Sequence, residues 1–309
     1  ANYPGYNPNQ YSKVQNMEVF QEATTQKLFE PGSIMKPFTM AVALNEGKIT
    51  KDTTYVDTGT VVFKQDTIHN FANEKYGRQT MTGVLENSIN TGAVYAEQQV
   101  SHQTFWDYLE KFGFFDATGV QLQGEVYSSN TALQNGHDIE YATASFGQGI
   151  ELTPMQIARG FCAIANGGKI VKPYIVEKIL NGGDEQYTKP EVSQPILSQQ
   201  TISQLKTMLI SVVDNGFNSV AKVPGYYLAG KTGTAQIPLK NGRGYEPDNK
   251  TIQSFVGFGP ALDPQFVIMV KLDSPKVSKS ALSAVPVFKD LAQYIINYWK
   301  IPPDYDVTK

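Results

Sequence analysis

The apolar residues of this chain fall into runs of helix or strand length, separated by polar segments rich in Gly, Pro and Asn. The strongest apolar run lies between residues 33 and 44, directly after the turn signal Pro31-Gly32. It predicts a buried helix that begins at about Ser33, because Pro37 then lies in the first turn, where a proline costs least. Gly47 is a natural left-handed cap for the end of this helix.

Cap residues indicate where the other helices begin. Thr153 precedes a proline and lies three residues before Gln156, a pattern that predicts a capping box. Thr82 is expected to cap a short helix, and Ser101 and Ser198 are expected to cap two longer ones. The segments predicted to be helical are 82–87, 91–100, 102–112, 153–166, 199–215 and 285–299.

Strand patterns dominate the last third of the chain. The segments 226–236, 253–259 and 265–272 alternate or run apolar, and Asp263-Pro264 predicts a hairpin turn between the last two. A smaller hairpin is predicted between residues 55 and 70, around Lys64-Gln65-Asp66. Runs of helices followed by runs of strands predict an α+β fold with an antiparallel sheet.

Composition narrows the class of protein. With 309 residues, 41% of them hydrophobic and 18% charged, the chain is long and apolar enough for one large globular domain or two smaller ones. The net charge is −3 and Lys and Arg form no basic run, so we expect no nucleic-acid partner. The only cysteine, Cys162, excludes an internal disulfide and a cysteine-based zinc site. His69, His102 and His137 are scattered and show no metal-ligand spacing.

The hydropathy pattern also indicates whether the chain contains a membrane span or a signal peptide. No stretch reaches the roughly 18 consecutive apolar residues of a membrane span, and the N-terminus lacks the plan of a signal peptide. We therefore expect the chain itself to be a soluble unit. It begins at Ala1-Asn2-Tyr3-Pro4 without an initiator methionine, so we expect a fragment or an excised domain.

Ser33 and Lys36 are the first candidates for chemistry. Residues three apart share one face of a helix, and Ser33 lies where free N–H groups and the positive end of the helix dipole converge. An amine held in an apolar stretch has a lowered pKa and can take the proton of a neighbouring hydroxyl. The pair therefore suits a serine nucleophile with a lysine base. The plainer interpretation, a helix-start serine followed by a solvated lysine, is the usual outcome of this pattern alone.

Two later motifs strengthen the catalytic interpretation. Lys231-Thr232-Gly233-Thr234 lies within a predicted strand, and glycine inside a strand often marks the close approach of a ligand, so Gly233 is expected to give a substrate peptide access. Ser88-Ile89-Asn90 lies between two predicted helices and would alone fit a polar turn. The ordered set Ser33-x-x-Lys36, Ser88-x-Asn90 and Lys231-Thr232-Gly233 resembles the signature of class A β-lactamases and penicillin-binding proteins.

The resemblance extends along nearly the whole chain, to the transpeptidase domain of monofunctional, class B penicillin-binding proteins. Residues 273–276, Asp-Ser-Pro-Lys, resemble the division-type branch more than the elongation-type branch. The segments that carry the resemblance beyond the three motifs are Tyr6-Asn7-Pro8-Asn9, Phe29-Glu30-Pro31-Gly32, 145–149, 165–168, 229–236, 254–258 and Pro286-Val287-Phe288-Lys289.

This resemblance implies a serine β-lactamase/D,D-transpeptidase-like fold. It implies one transpeptidase domain over residues 1–309, with an antiparallel five-stranded sheet flanked by helices and an all-helical subdomain inserted at roughly 50–160.

Two departures from the family pattern stand out. We expect the family's first strand, N-terminal pedestal and membrane anchor to lie outside this sequence. The glycine pair usual before the last helix is replaced by Ser280-Ala281-Leu282-Ser283.

The resemblance also implies a mechanism without a metal or an organic cofactor. Ser33 would attack a peptidoglycan stem peptide between its terminal D-alanines and form an acyl-enzyme, with Lys36 as base, Lys231 as a second cation beside it and Ser88 as proton relay. The backbone N–H groups of Ser33 and Thr234 would form the oxyanion hole. The residues implied to bind substrate are Asn90, Thr232, Gly233 and Thr234.

The implied partners are stem peptides ending in D-Ala-D-Ala, β-lactam antibiotics as covalent inhibitors, a membrane glycosyltransferase, and division or elongation proteins. The implied location is the extracytoplasmic face of a bacterial membrane.

Three alternatives remain: a serine β-lactamase, a D,D-carboxypeptidase, and a β-lactam sensor or inactive division scaffold without turnover. Glu125 stands five residues before Asn130, and this spacing departs from the class A pattern for a glutamate-held water.

Overall fold

The computed structural model describes residues 1–216, 219–237, 239, 244–246 and 250–307. None of the helices within these ranges is both long and apolar enough to cross a membrane. The helices are α1 (Ala23–Gln26), α2 (Lys36–Asn45), α3 (Met81–Glu86), α4 (Asn90–Glu97), α5 (His102–Lys111), α6 (Thr131–Gln134), α7 (Asp138–Ala144), α8 (Pro154–Ala165), α9 (Gln199–Asp214) and α10 (Ala284–Trp299). The strands are β1 (Thr54–Asp57), β2 (Thr60–Phe63), β3 (Asp66–His69), β4 (Gly77–Thr80), β5 (Lys169–Val171), β6 (Lys178–Asn181), β7 (Asp184–Tyr187), β8 (Val192–Pro195), β9 (Ala229–Gln236), β10 (Thr251–Gly259) and β11 (Phe266–Asp273).

A central antiparallel sheet divides the apolar core into two parts. Its strand order is β11-β10-β9. Successive side chains of a strand point to opposite faces, so Phe255 and Val256 of β10 lie on different sides of the sheet. Phe255 packs against Phe288 of α10, with ring centroids 4.5 Å apart, whereas Val256 belongs to the larger core formed with α2, α8 and α9. Helices therefore cover both faces, as the predicted α+β fold requires.

The resemblance implied five strands in this sheet, and the described residues form three. The other candidates, β5 to β8, pair with one another instead. All residues of β6, β7 and β8 are exposed. These strands have no apolar face with which to extend a buried sheet, so they form a separate hairpin structure on the surface.

The segment at roughly 50–160, which the resemblance implied to be an inserted all-helical subdomain, is also not wholly helical. Its first part, before α3, contains two small antiparallel sheets, β1 with β4 and β2 with β3. The predicted hairpin between residues 55 and 70 is confirmed, with its turn at Lys64 in the left-handed region at φ 50°. The β-branched and aromatic residues of Thr60–Phe63 explain why this part adopts strands.

Helix α2 is the centre of the larger core, as its apolar run predicted. Every residue from Lys36 to Leu44 is buried, and the Phe38 ring makes edge-to-face contacts with Phe112, Phe114 and Phe161. A 3₁₀ turn, Gly32–Met35, precedes the helix, so the helical conformation begins near Ser33 as expected. An α-helix buried on all sides gives a rigid base for the residues at its N-terminus.

Most of the predicted caps are confirmed. The Ser101 and Ser198 side chains accept hydrogen bonds from the Thr104 and Thr201 backbone N–H groups, and Thr153 with Gln156 forms the capping box. The prediction for Thr82 was wrong, because the cap of α3 is Thr80. Thr80 has the extended backbone of a cap residue, whereas Thr82 already lies inside the first turn.

Candidate active site

The three motifs meet where the N-terminus of α2, the turn between α3 and α4, and strand β9 come together. Ser33 lies in the 3₁₀ turn, Lys36 is the first residue of α2, and Asn90 is the first residue of α4. Ser88 lies in the turn before α4, and Lys231 lies in β9. Hydrogen bonds connect these five side chains into one cluster.

The turn that carries Ser33 is held by close backbone contacts. Gly32 has φ +60°, and its N–H donates to the Gly147 carbonyl at 2.9 Å. A Cβ atom on Gly147 would lie 2.2 Å from the Gly32 carbonyl oxygen, so only glycine allows this approach. The buried carboxyl group of Glu30 accepts from the Gly149 N–H at 2.9 Å and fixes the same loop. Ser33 therefore sits on backbone that is fixed from the far side.

Strand β9 packs against the other side of this turn. A Cβ atom on Gly233 would lie 2.5 Å from Ser254 Oγ and 2.9 Å from the Pro31 carbonyl oxygen. The sequence suggested that Gly233 admits a substrate peptide, and the buried position of Gly233 gives a different reason for the glycine. It lets the strand lie directly on the turn that holds Ser33.

Lys36 is fully buried, and four oxygen atoms surround its amine. Its Nζ lies 3.0 Å from Ser33 Oγ, 3.2 Å from Ser88 Oγ, 2.5 Å from the Ser88 carbonyl oxygen and 2.9 Å from Asn90 Oδ1. The orientation of the Asn90 amide is fixed, because its Nδ2 donates to the His69 carbonyl at 2.9 Å. The oxygen of that amide must then face Lys36.

These four oxygen atoms determine the directions of the two N–H bonds and of the lone pair of a neutral Lys36 amine. A neutral amine has two N–H bonds and one lone pair. The Ser88 carbonyl and Asn90 Oδ1 can only accept hydrogen bonds, so they take the two N–H bonds. The lone pair is left for a hydroxyl, and Ser33 Oγ at 3.0 Å is the nearer of the two hydroxyls.

The electrostatic environment favours the neutral form of Lys36. Burial and the positive charge of Lys231 hold the pKa of the Lys36 amine well below its usual value. Burial also lowers the pKa of Lys231, to about 7. Neither amine forms an ion pair with a carboxylate among the residues that the structure describes. When one of these two amines is protonated, its positive charge therefore disfavours protonation of the other.

Ser88 connects the two lysines. Its Oγ accepts a hydrogen bond from Lys231 Nζ at 2.9 Å and lies 3.2 Å from Lys36 Nζ. Its backbone has φ +56°, a left-handed conformation that costs a residue other than glycine about 1–3 kcal/mol. In this conformation both the hydroxyl and the carbonyl oxygen of Ser88 lie within hydrogen-bond distance of Lys36 Nζ.

A buried network that sequence reasoning missed fixes the start of α4. Asp57 accepts hydrogen bonds from the Gly59 and Tyr76 N–H groups, from Asn70 Nδ2 and from Thr91 Oγ1 at 2.6 Å. Thr91 directly follows Asn90, and its N–H donates to Asn70 Oδ1 at 3.1 Å. No local pattern marks Asp57, because its partners are spread from residue 59 to residue 91.

Thr232 and Thr234 alternate with Lys231 and Gly233 along β9. Thr234 is exposed and Thr232 half-buried, and Thr232 Oγ1 lies 3.5 Å from Lys231 Nζ. Thr234 Oγ1 forms a 2.9 Å hydrogen bond with Ser280 Oγ. The structure therefore brings all the predicted site residues together. It adds Ser280, which the sequence marked only as a departure from a glycine pair.

The His69 backbone carbonyl contacts this cluster through Asn90, but no described hydrogen bond joins a histidine side chain to it. His102 stacks on the Tyr141 ring at 4.0 Å, and its Nε2 lies 3.8 Å from carboxylate oxygens of Glu97 and Asp138. Glu97 is almost fully buried, and its Oε1 has no hydrogen-bond partner in the part of the chain that the structure describes. Burial, together with the charge of Asp138, raises the pKa of Glu97 to about 8. Within the described ranges no group of three or more His, Cys, Asp and Glu side chains is placed to hold a metal ion.

The sequence is similar to known proteins along most of its length. Residues 1–293 match the model of the penicillin binding protein transpeptidase domain. The chain is 34% identical over 277 residues to stage V sporulation protein D of Bacillus subtilis (strain 168), covering 88% of this chain and 42% of that protein. It is 32% identical over 308 residues to the peptidoglycan D,D-transpeptidase FtsI of Escherichia coli (strain K12), covering 98% of this chain and 50% of that protein. The chain spans about half the length of these curated relatives.

Solved structures are similar as well. The transpeptidase domain of Burkholderia pseudomallei penicillin-binding protein 3 matches with a TM-score of 0.82 and 31% identity, covering 93% of this chain and 84% of that one. Penicillin-binding protein 3 of Mycobacterium tuberculosis, solved in complex with aztreonam, matches with a TM-score of 0.82 and 29% identity, covering 92% of this chain and 66% of that one.

Proposed function

Because the chain belongs to the penicillin-binding protein transpeptidase family, as its motifs predicted, we propose that it is a peptidoglycan D,D-transpeptidase with Ser33 as nucleophile. The observation that carries this proposal is the placement of Lys36. Two acceptor-only oxygens occupy the N–H bonds of its neutral amine, and Ser33 Oγ lies 3.0 Å from Nζ, where the lone pair can take its proton.

In the proposed acylation step, Ser33 Oγ attacks the carbonyl carbon between the two terminal D-alanines of a stem peptide. The hydroxyl proton passes to the neutral amine of Lys36. A C–O ester bond forms and the C–N bond breaks. The departing D-alanine amine takes a proton relayed from Lys36 through the Ser88 hydroxyl, which lies 3.2 Å from Lys36 Nζ.

The backbone N–H groups of Ser33 and Thr234 are the proposed oxyanion hole. A Cβ atom built on Gly32 would lie 3.0 Å from the Thr234 carbonyl oxygen, so the two backbones run side by side at this point. One such donor typically contributes about 3–4 kcal/mol to stabilising the transition state. The N-terminal position of Ser33 before α2 adds the favourable end of the helix dipole.

The remaining motif residues are proposed to bind the donor peptide. One N–H bond of the Asn90 amide donates to the His69 carbonyl, and the second has no acceptor among the described residues and can donate to a peptide carbonyl. Lys231, Thr232 and Thr234 suit the terminal carboxylate, and Gly233 keeps β9 in place between them. An amino group from a neighbouring stem then attacks the ester carbonyl, forms the cross-linking amide bond and releases Ser33.

We further propose that β-lactams acylate Ser33, since they present a strained amide to the same site. The proposed location is the extracytoplasmic face of a bacterial membrane, where stem peptides are found. A membrane glycosyltransferase and division or elongation proteins are the proposed partners. The resemblance of residues 273–276, Asp-Ser-Pro-Lys, to the division-type branch favours that branch.

The test is the intact mass of the protein after brief exposure to benzylpenicillin, followed for hours after free drug is removed. We expect one adduct, located on the Ser33 peptide, that persists. Ser33→Ala should abolish the adduct, and Ser12→Ala, a change at an exposed serine, should not. Capture that persists in Ser33→Ala would overturn the assignment.

The same experiment separates the alternatives. Loss of the adduct within seconds, with accumulation of hydrolysed drug, would identify a β-lactamase. Glu125, the carboxylate considered for that role, instead accepts hydrogen bonds from the Thr118 and Gly119 N–H groups of its own loop. Hydrolysis of a stem-peptide analogue without amine transfer would identify a carboxypeptidase. An adduct without any turnover of the analogue would identify a sensor or scaffold.

A further inference from the structure

We infer that Ser280 controls the direction of the Thr234 hydroxyl proton and thereby weakens recognition of the carboxylate that the donor substrate presents to β9. The inference rests on the proposed function, because it concerns the residues proposed there to bind this carboxylate. Ser280 begins a 3₁₀ turn, Ser280–Leu282, that links β11 to α10. Its side chain is only 3% exposed, so water cannot replace its partners freely.

The Ser280 hydroxyl contacts two oxygen atoms of β9. Its Oγ lies 2.5 Å from the Gly233 carbonyl oxygen and 2.9 Å from Thr234 Oγ1. Two oxygens 2.5 Å apart repel each other unless a proton lies between them, and the Gly233 carbonyl has none. The single proton of Ser280 must therefore point at Gly233.

The direction of the second hydrogen bond follows from the first. Since Ser280 has already given its proton to Gly233, the 2.9 Å contact requires that Thr234 donates and Ser280 accepts. The Thr234 hydroxyl then presents only lone pairs to the substrate side of β9. A carboxylate also consists of acceptors, so it meets a repulsive oxygen where a donor would bind it.

A carboxylate can gain the Thr234 proton only if the bond to Ser280 breaks. The segment that holds Ser280 is fixed at its other end and resists moving away. Ser283 Oγ donates to Gln253 Oε1 at 2.5 Å, and Gln253 Nε2 donates to the Val277 carbonyl at 2.6 Å. Gln253 is also the residue of β10 opposite Thr234 in the sheet. The Thr234 hydroxyl proton is therefore already hydrogen-bonded to Ser280 before a ligand binds.

The test compares benzylpenicillin, which has a free carboxylate, with its methyl ester, which has none. The quantity measured is the ratio of their second-order rate constants for acylation of Ser33, from intact mass at a series of times. Effects of a substitution on the nucleophile or the oxyanion hole act on both ligands and cancel in this ratio. A hydrogen bond to a charged group is stronger than one between neutral groups, so Ser280→Gly should raise the ratio about tenfold.

Two further variants isolate the hydroxyl. Thr234→Val removes it, so Ser280→Gly should leave the ratio unchanged in that background. Ser278→Ala, a change at an exposed serine of the same segment, is the control and should change the ratio less than about twofold, which is within ordinary variation for a neutral contact. Ser280→Ala provides a second version of the main change, and thermal unfolding followed by circular dichroism identifies variants that remain folded.

The two proposals fail in different ways. An adduct on Ser33 with an unchanged or lowered ratio in folded Ser280→Gly and Ser280→Ala would overturn the role of Ser280 and leave the proposed function standing. A raised ratio in Ser278→Ala, or an effect of Ser280→Gly that persists with Thr234→Val, would also overturn it. The absence of any Ser33 adduct on the unaltered chain would overturn both proposals.

Discussion

Thr91, the residue after Asn90, donates a 2.6 Å hydrogen bond to the carboxylate of Asp57, and both side chains are 3% exposed. Thr91→Val keeps the shape of the side chain and removes the hydroxyl. We expect it to cost about 1–3 kcal/mol of unfolding free energy, because a buried carboxylate loses a donor. Acylation by benzylpenicillin should also slow, since the start of α4 carries Asn90.

Urea unfolding and intact-mass kinetics measure the two effects of Thr91→Val. Thr91→Ser is the matched control, because it keeps the hydroxyl that Asp57 requires. Equal stability and equal acylation in the Val and Ser variants would show that the hydrogen bond to Asp57 does not position the site.

Lys36→Met should slow acylation at neutral pH by at least about two orders of magnitude, the usual contribution of a general base. In the unaltered chain the rate should fall as the pH falls, because protonation of Lys36 removes the lone pair that accepts the Ser33 proton. Its pKa lies well below the usual value, so this loss is expected well below the pH at which an ordinary lysine is protonated.

Rapid-quench acylation over a pH series checks the role of Lys36. Lys206→Met, which replaces a half-buried lysine of α9, is the control and should keep the pH profile of the unaltered chain. An unchanged rate in Lys36→Met at neutral pH would remove this residue as the base.

Glu97→Gln should stabilise the fold in alkaline solution. The Glu97 pKa is raised from 4.5 to about 8, mainly by burial and further by Asp138, so the folded state binds more protons than the unfolded state between these two values. Stability contributed by the protonated group is therefore present below pH 4.5 and is lost as the pH rises toward 8. Glu97→Gln removes this loss.

Thermal unfolding at pH 5 and pH 8.5 measures the effect of Glu97→Gln. The gain in stability over the unaltered chain should be larger at pH 8.5 than at pH 5. Asp138→Asn, which removes the neighbouring negative charge, should make the pH dependence shallower. Parallel pH curves for Glu97→Gln and the unaltered chain would contradict the prediction.

Local sequence signals predicted the local structure well. The capping box at Thr153 and the apolar run after Ser33 depend on neighbours within one or two helical turns, and both are confirmed. The strands of the central sheet were also located from their apolar patterns, to within a few residues. The number of strands was not, because it depends on which exposed segments pair with a buried sheet.

The candidate site was predictable as a set of residues that lie together but not as a network, and the roles of these residues stay proposals. Ser33, Lys36, Ser88, Asn90 and 231–234 were all predicted from their motifs. The partners that fix them were not, because Asp57 and Ser280 act through contacts with residues distant in the sequence. The reason for a glycine at position 233 was also not predictable. A Cβ atom there would clash with Pro31 and Ser254, and no sequence spacing connects these residues to Gly233.

The cluster around Ser33 joins segments that are far apart along the chain. Ser88 lies 52 positions from Lys36 and 143 positions from Lys231, and the proposed activation of Ser33 requires all three to meet. Contacts of such long sequence separation form late in folding, because loop closure must come first. Covalent capture of penicillin should therefore report the fraction of chains that have completed folding, which gives a chemical assay for misfolded variants of this domain.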